Sequence, residues 1–348
     1  MKYAHVYALF LMFVFSTSCA GQDKTSRSKE NVKSETKDSV MSSGPNRITR
    51  NLIQDKKGNI WVAAFDGIFK YDGKSFTNMT SKVSSARFFS VLEDRKGNFW
   101  FASVGSGVYY YDGTSFRHLT TKDGLANDRV TNIYEDKTGN IWFGTESGAS
   151  LYDGKSFRNF KMTESPSATQ TDSVQVSVYQ QELQEAHWMQ NDVNSVIEDK
   201  TGKFWFGTRG YARVYDGKTF TRITNKDGKP FTNVRSIIKD KKGNIWLGGN
   251  DGLWRYDGNT FTNFTQDFIG YIYEDKKGNI WTSSKSAHVK DWVLSRYDEK
   301  SLSNVKPTVT EIANKPLIFG ILEDGKENVL FGSMNGVYRY NGSTIARL

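Results

Sequence analysis

Short apolar runs recur along this chain at a period of about 40 residues, each closed by the same polar punctuation. The clearest copy, residues 237–265, is IIKDKKGNIWLGGNDGLWRYDGNTFTNFT. Six further copies begin at Leu52, Val91, Ile133, Val196, Ile272 and Ile321. Tryptophan marks the same beat at Trp61, Trp100, Trp142, Trp205, Trp246 and Trp281, with Leu330 in the last copy.

One copy predicts four short strands. Ser236-Ile237-Ile238 is the first. Asp240-Lys241-Lys242-Gly243 has Asp first and Gly fourth, as a tight turn with a left-handed closing residue requires. Residues 244–248 form the second strand, 249–252 a looser connection, and 253–256 the third strand. Asp257-Gly258 is a two-residue hairpin signal, and 260–265 is the fourth strand. Four antiparallel strands repeated radially define a propeller blade, and a blade cannot cover both of its faces alone. The expected fold is therefore all-β: a seven-bladed β-propeller of four-stranded antiparallel blades.

The columns of the repeat agree. Two residues after the tryptophan stands a small residue: Ala63, Ala102, Gly144, Gly207, Gly248, Ser283 and Gly332. Such residues let neighbouring blades approach. The third strand carries Tyr71, Tyr111, Tyr152, Tyr215, Tyr256, Tyr297 and Tyr340. The fourth carries Phe76, Phe116, Phe157, Phe220 and Phe261, then Leu302 and Ile345. An aromatic stripe could stack on sugars, but seven equivalent copies point to core.

Domain organisation follows. Residues 1–19 hold Lys2, an apolar run from Ala4 to Phe15 and then Ser16-Thr17-Ser18-Cys19. The run is short for a membrane span and has the form of a signal-peptide core. Small residues before a cysteine resemble a lipobox, although Ser16 stands where Leu is usual. Cys19 is the sole cysteine, and a lipid thioether would account for an unpaired thiol in an exported chain; the alternative is an inert residue removed with an ordinary leader. Residues 20–46 are rich in Lys, Ser, Glu and Asp, too polar to offset the entropy of ordering, and are expected to form a disordered tether. Residues 47–348 form the propeller.

The formal net charge is +9. Much of the lysine lies in the Asp-x-x-Gly turns, each beside an Asp. That is a solvated turn surface rather than a phosphate-tracking stripe, so no nucleic-acid partner is expected. No zinc spacing, nucleophile elbow or phosphate loop is present. Glu93, Glu135, Glu198, Glu274 and Glu323 precede the turns, and five equivalent copies indicate a structural role. No catalytic residue, metal ligand or cofactor is expected.

Strand alternation puts the Asp-x-x-Gly and Tyr-Asp-Gly turns on one face of the ring. The opposite face holds the second-to-third-strand loops and the interblade links, where the copies diverge and where function tends to sit. Two insertions fall there. Residues 161–190 end in His187-Trp188-Met189, and residues 284–292 carry His288 and Trp292. Blade four has Tyr211, after Arg209, where five other copies keep Gly. The candidate ligand-binding residues are Arg209, Tyr211, His288, Trp292, Trp188, Asn250, Asp251, Glu146 and Phe65. They suit a polar ligand with a stackable face, such as a glycan. The competing readings are that these loops are tolerated surface variation, that Trp292 packs over blade six, and that Tyr211 fills a gap between blades.

The phrase EDKTGNIWFGTESGASLYDGKSF, at residues 135–157, resembles the two-component regulator propeller repeat. The similarity covers nearly all of residues 52–348. It implies an extracytoplasmic sensor, often of oligosaccharides, with a membrane-protein signalling partner and, here, a lipid anchor to the membrane. No kinase or DNA-binding segment is seen after the last copy. The chain is expected to be a monomer on the periplasmic or outer-membrane side. Gly-x-x-Trp repeats are also similar to those of streptogramin-lyase-like propellers, which would make the chain a metal-dependent lyase with His288 as the main candidate for the catalytic His, without a second His on a matching loop. A third reading is a protein-interaction scaffold. If Cys19 is lipidated, Cys19→Ser should release the protein from membranes or block its maturation. Mass spectrometry of native protein finding an unmodified Cys19, or a different start, would remove the anchor.

Overall fold

The computed structural model describes residues 43–162, 187–285, 290–303 and 307–348. The leader, Cys19 and nearly all of the expected tether lie outside them, as do 163–186 of the long insertion and His288. Seven four-stranded sheets follow one another: residues 49–78, 87–119, 130–160, 193–222, 236–265, 268–315 and 319–347. Within each sheet the strand order is the chain order, and every ladder is antiparallel. The seven-bladed expectation holds. The first and last blades each own four strands, so the ring closes by packing of faces, not by a shared blade.

The core lies between blades. Each seam holds one apolar cluster, built from the tryptophan side of one blade and the facing side of the next. Trp61 meets Phe88, Val91 and Phe101. Trp142 meets Val193, Val196 and Phe206. At the closing seam Leu330, Leu322 and Val337 of blade seven pack on Leu52, Val62 and Phe69 of blade one. The small-residue column works as expected: a Cβ on Gly207 would lie 2.9 Å from the Val234 carbonyl, and one on Gly332 2.6 Å from that of Thr49. Arg347 Nη2 donates to the Pro45 carbonyl at 3.3 Å, so the two ends of the propeller touch. One expectation is corrected. Leu302 is not a fourth-strand residue; it caps a 3₁₀ turn at Glu299–Ser301, and the fourth strand of blade six starts only at Val309.

The aspartate of the first turn explains the tryptophan. In blade five Asp240 Oδ1 accepts from the Asn244 N–H at 2.8 Å. Its Oδ2 accepts from Asn244 Nδ2 at 2.8 Å and from the Trp246 indole at 2.9 Å. The same indole bond recurs at Trp61, Trp100, Trp142, Trp205 and Trp281, at 2.8–3.1 Å. It satisfies a buried donor and aims the ring into the next seam.

The basic residue after that aspartate ties blade to blade. The Lys56 N–H donates to Glu93 at 2.9 Å, while Lys56 Nζ donates to the carbonyls of Asp94 and Arg95 at 3.0 and 2.8 Å. Arg95 does the same toward Glu135, Asp136 and Lys137. Lys137 reaches Glu198 and Asp199, Lys241 reaches Glu274 and Asp275, and Lys276 reaches Glu323 and Asp324. The five pre-turn glutamates are therefore structural clamps. Two seams differ. Blade five has Lys239 at that position, and its Nζ reaches back to the Glu198 carbonyl at 2.9 Å. Blade seven has Gly325 where the cation would stand, facing Gln54 of blade one.

Burial alone would raise the turn carboxyls. Hydrogen bonds from the Asn or Thr side chain, the indole and the backbone outweigh it and hold Asp55, Asp136 and Asp199 below the ordinary aspartate value. A depressed folded-state value contributes stability that is complete above the unfolded value, about 4, and is lost as pH falls through the folded one. Unfolding free energy from denaturant titration should be level down to about pH 4 and then drop. Asp136→Asn should lower stability at neutral pH and give a shallower acid drop; an identical acid slope in the variant would show that this carboxylate is not a source of it.

Candidate functional site

The first strand of each blade is innermost and forms an open sheet edge, so its outward N–H groups need partners beyond the sheet. Side chains from the preceding blade supply them. Asn51 Oδ1 accepts from Val91, Asn132 Oδ1 from Val196, Ser195 Oγ from Ile237 and Ser236 Oγ from Ile272, all at 3.0–3.1 Å. These residues make a polar lining for the central channel.

Immediately above them, toward the variable face, lies one column: Arg50, Phe89, Thr131, Asn194, Arg235, Gly270 and Phe319. Each stands two residues before the first apolar residue of its repeat. In blades one, two, three, four and six this residue is the extra residue of a β-bulge. A bulge turns a residue away from the alternating pattern of the strand. Here the seven residues line a cavity of about 360 Å³ at the channel mouth, together with Arg129, Asp192, Phe268, Tyr271 and Trp292.

The mouth has two unlike halves. On blades six, seven, one and two, aromatic groups run edge to edge. Phe65 stacks on Phe89 at 5.4 Å between centroids, Trp292 lies 5.5 Å from Phe319 and Phe268 lies 5.7 Å from Trp292. Arg50 is held between them, its guanidinium carbon 4.3 Å from the Phe89 ring and 3.7 Å from the Phe319 ring. On blades three, four and five the lining is charged. Arg129 pairs with Glu146 and Arg209 with Asp192, each at 3.7 Å, and Arg235 donates to Asn194 Oδ1 at 3.3 Å. Burial pushes the Asp192 carboxyl up, against the pull of Arg209, Arg129 and Arg235. Burial, reinforced by the nearby Arg235 charge, pushes Arg50 down to about 9, so it still carries its charge at neutral pH.

Several sequence-selected residues meet at this mouth. Trp292 lines it, Phe65 backs Phe89, Glu146 backs Arg129, and Arg209 backs Asp192. Trp188 is 45% exposed on a 3₁₀ turn at His187–Gln190, with the Arg209 guanidinium 5.2 Å from its ring. Asn250 and Asp251 instead brace the link into blade five. Asn250 accepts from Asn233 Nδ2 at 2.8 Å, and Asp251 accepts from the Thr232 N–H and hydroxyl. Burial raises the Asp251 carboxyl despite those bonds. Tyr211 is buried beneath Arg222, whose guanidinium lies 4.2 Å from its ring, so it is a packing residue as placed. Its backbone avoids the left-handed region; among the described non-glycine residues only Asn233 and Glu327 enter it. At the equivalent Gly148 and Gly252 a Cβ would sit 2.2 and 1.8 Å from a fourth-strand carbonyl. Blade four shortens its fourth strand to Phe220–Arg222 and pairs Tyr211 with Thr232 instead, which makes room. His288 lies outside the described residues.

Arg50, Phe89, Arg129, Arg235, Phe268 and Phe319 were not selected from the sequence. The signal was available: it is the column just before each aligned repeat start, on the strand nearest the axis.

These features define a ring propeller with a cavity at the variable-face mouth of its channel. Residues 124–147, 187–210 and 228–251 match the family model described as two component regulator propeller. Among solved structures, the extracellular domain of a hybrid two component system from B. thetaiotaomicron superposes with a TM-score of 0.65 at 22% identity over 86% of this chain. This chain spans 39% of the length of that one. A catalytically inactive virginiamycin B lyase from Staphylococcus aureus, solved with quinupristin, gives 0.61 at 14% identity, covering 86% of this chain and 96% of the lyase. PorZ, a surface component of the type-IX secretion system of Porphyromonas gingivalis, gives 0.56 at 16% identity, covering 83% of this chain and 46% of that one. At these identities the likeness is one of fold. No curated protein matches the sequence.

The placements of Tyr211 and Trp188 separate by stability. Tyr211→Ala should cost about 3 kcal/mol of unfolding free energy, the range for emptying a buried aromatic site. Trp188→Ala should stay within about 0.5 kcal/mol, as an exposed residue does. Equal losses in the two variants would contradict the placement of both rings.

Proposed function

We propose that this chain is a non-catalytic, ligand-binding propeller of the extracytoplasmic sensor type, with its ligand at the variable-face mouth of the channel. The observation that carries the reading is the column two residues before each repeat start, which brings Arg50, Phe89, Thr131, Asn194, Arg235 and Phe319 together with Gly270 around one cavity, five of the seven through a β-bulge. Aromatic faces in one half and hydrogen-bonding groups in the other suit an oligosaccharide or a comparably polar small molecule. The resemblance to sensor repeats supports export, a lipid anchor at Cys19 and a membrane-protein signalling partner. A streptogramin-lyase-like activity is the second reading, favoured by the structural likeness to virginiamycin B lyase over 96% of that enzyme's length.

The test is a glycan and metabolite binding screen on the full-length protein, with product analysis of every hit. A ligand should bind and be recovered unchanged. Trp292→Ala should weaken it by roughly 2 kcal/mol, about thirtyfold, with little change in melting temperature. Recovery of a cleaved or rearranged ligand would establish the enzyme instead, and full affinity in Trp292→Ala would move the site off this mouth.

A further inference from the structure

Arg50 is unusual among the basic residues of the mouth. Its neighbours on either side are phenyl rings of blades two and seven. Its Nε is shut off from solvent without a hydrogen-bond partner, and none of the ion pairs among the described residues includes it. Ring contacts alone are a weak return for desolvating a guanidinium. The charges around it deepen the imbalance. Three arginines and one carboxylate line the cavity, and that carboxylate, Asp192, is already held by Arg209. A buried cation with open donors, lining a cavity of about 360 Å³, lacks an anion.

Resting on the mouth as the ligand site, we propose that the ligand bears an anionic oxygen group, a carboxylate or a sulfate ester, that seats on Arg50 with Arg235 and Arg129 beside it. The rings of Phe89 and Phe319 fix the guanidinium, so it donates from a preset position; an arginine fork matches two oxygens of one group. Trp292, against Phe319, then has the rest of the ligand within reach. The polar half of the mouth opposes a purely apolar occupant, and the excess of cations opposes a positively charged one.

The experiment is calorimetric titration of the full-length protein with glucuronate, glucose 6-sulfate and glucose. It is repeated on Arg50→Met, Arg235→Met and Trp292→Ala, with the melting temperature of each variant measured. At least one acidic probe should bind more tightly than glucose, and the tighter of the two identifies the group as carboxylate or sulfate. Arg50→Met should lose that preference by about tenfold or more while melting at the same temperature or higher, because an unpaired buried charge is gone. Arg235→Met should weaken the acidic probe as well, which keeps the test open should Arg50→Met fold poorly. Equal or absent binding of all three probes, or arginine variants that bind the acidic probe as tightly as the parent, would overturn the proposal. Glucose binding that depends on Trp292 but on neither arginine would leave the mouth in place and remove the anion. Acidic-probe binding that depends on Arg50 and not on Trp292 would keep the anion site and reject the wider mouth.

Discussion

The bond from each tryptophan indole to the aspartate of its own turn fixes more of this protein than any other contact. One carboxylate closes the turn, satisfies the only polar atom of a buried ring and so decides which way that ring points. The ring then fills the seam with the next blade. The turn, held in one shape, presents its basic residue where the next blade's glutamate and carbonyls can take it. A local hydrogen bond thus becomes an interblade one, and the ring is assembled from a motif that never has to recognise anything farther away than its neighbour. At five seams the turn cation bonds into the following blade rather than standing free.

The fold was legible because it repeats. Period, tryptophan beat, small-residue column and turn glycines each occur often enough to outweigh a local exception such as Leu330 or Tyr211. The site was legible only in part. Trp188, Trp292, Arg209, Glu146 and Phe65 stood out as departures on divergent loops; Trp292 lines the cavity, Phe65, Glu146 and Arg209 touch residues that line it, and Trp188 lies against Arg209. Tyr211 stood out for the same reason and turned inward, because an altered fourth strand in blade four left space that a glycine would not fill. Arg50, Phe89 and Phe319 were hidden for the opposite reason. They lie on regular-looking first strands, and their direction depends on a bulge, which alternation of apolar and polar residues does not announce.

This division suits a binding protein. The repeated face carries clamps that tolerate little change, since each clamp serves two blades. The channel column supplies, in five blades, the surplus residue of a bulge, outside the ladder register. Its members differ as much as Gly270 and Arg235 do, without cost to the sheet. Specificity in such a ring can be rewritten at these positions while the seams stay intact, and Arg50, buried with its Nε unpartnered, is a place where stability has been set aside.

The contact between Arg347 and Pro45 has a consequence of another kind. Six seams are bridged by the chain itself, whereas the seventh is held by side-chain packing and by contacts such as Arg347 to Pro45, without the turn cation or the indole. The break in the polypeptide is therefore one of position, not of architecture. Joined across that gap by a short linker, the chain could be opened within a solvent-exposed link, such as the one following blade five, and still present the same neighbours to every blade. The ring has a start and an end in the gene, but its geometry records the place only as a missing lysine and a leucine where a tryptophan would be.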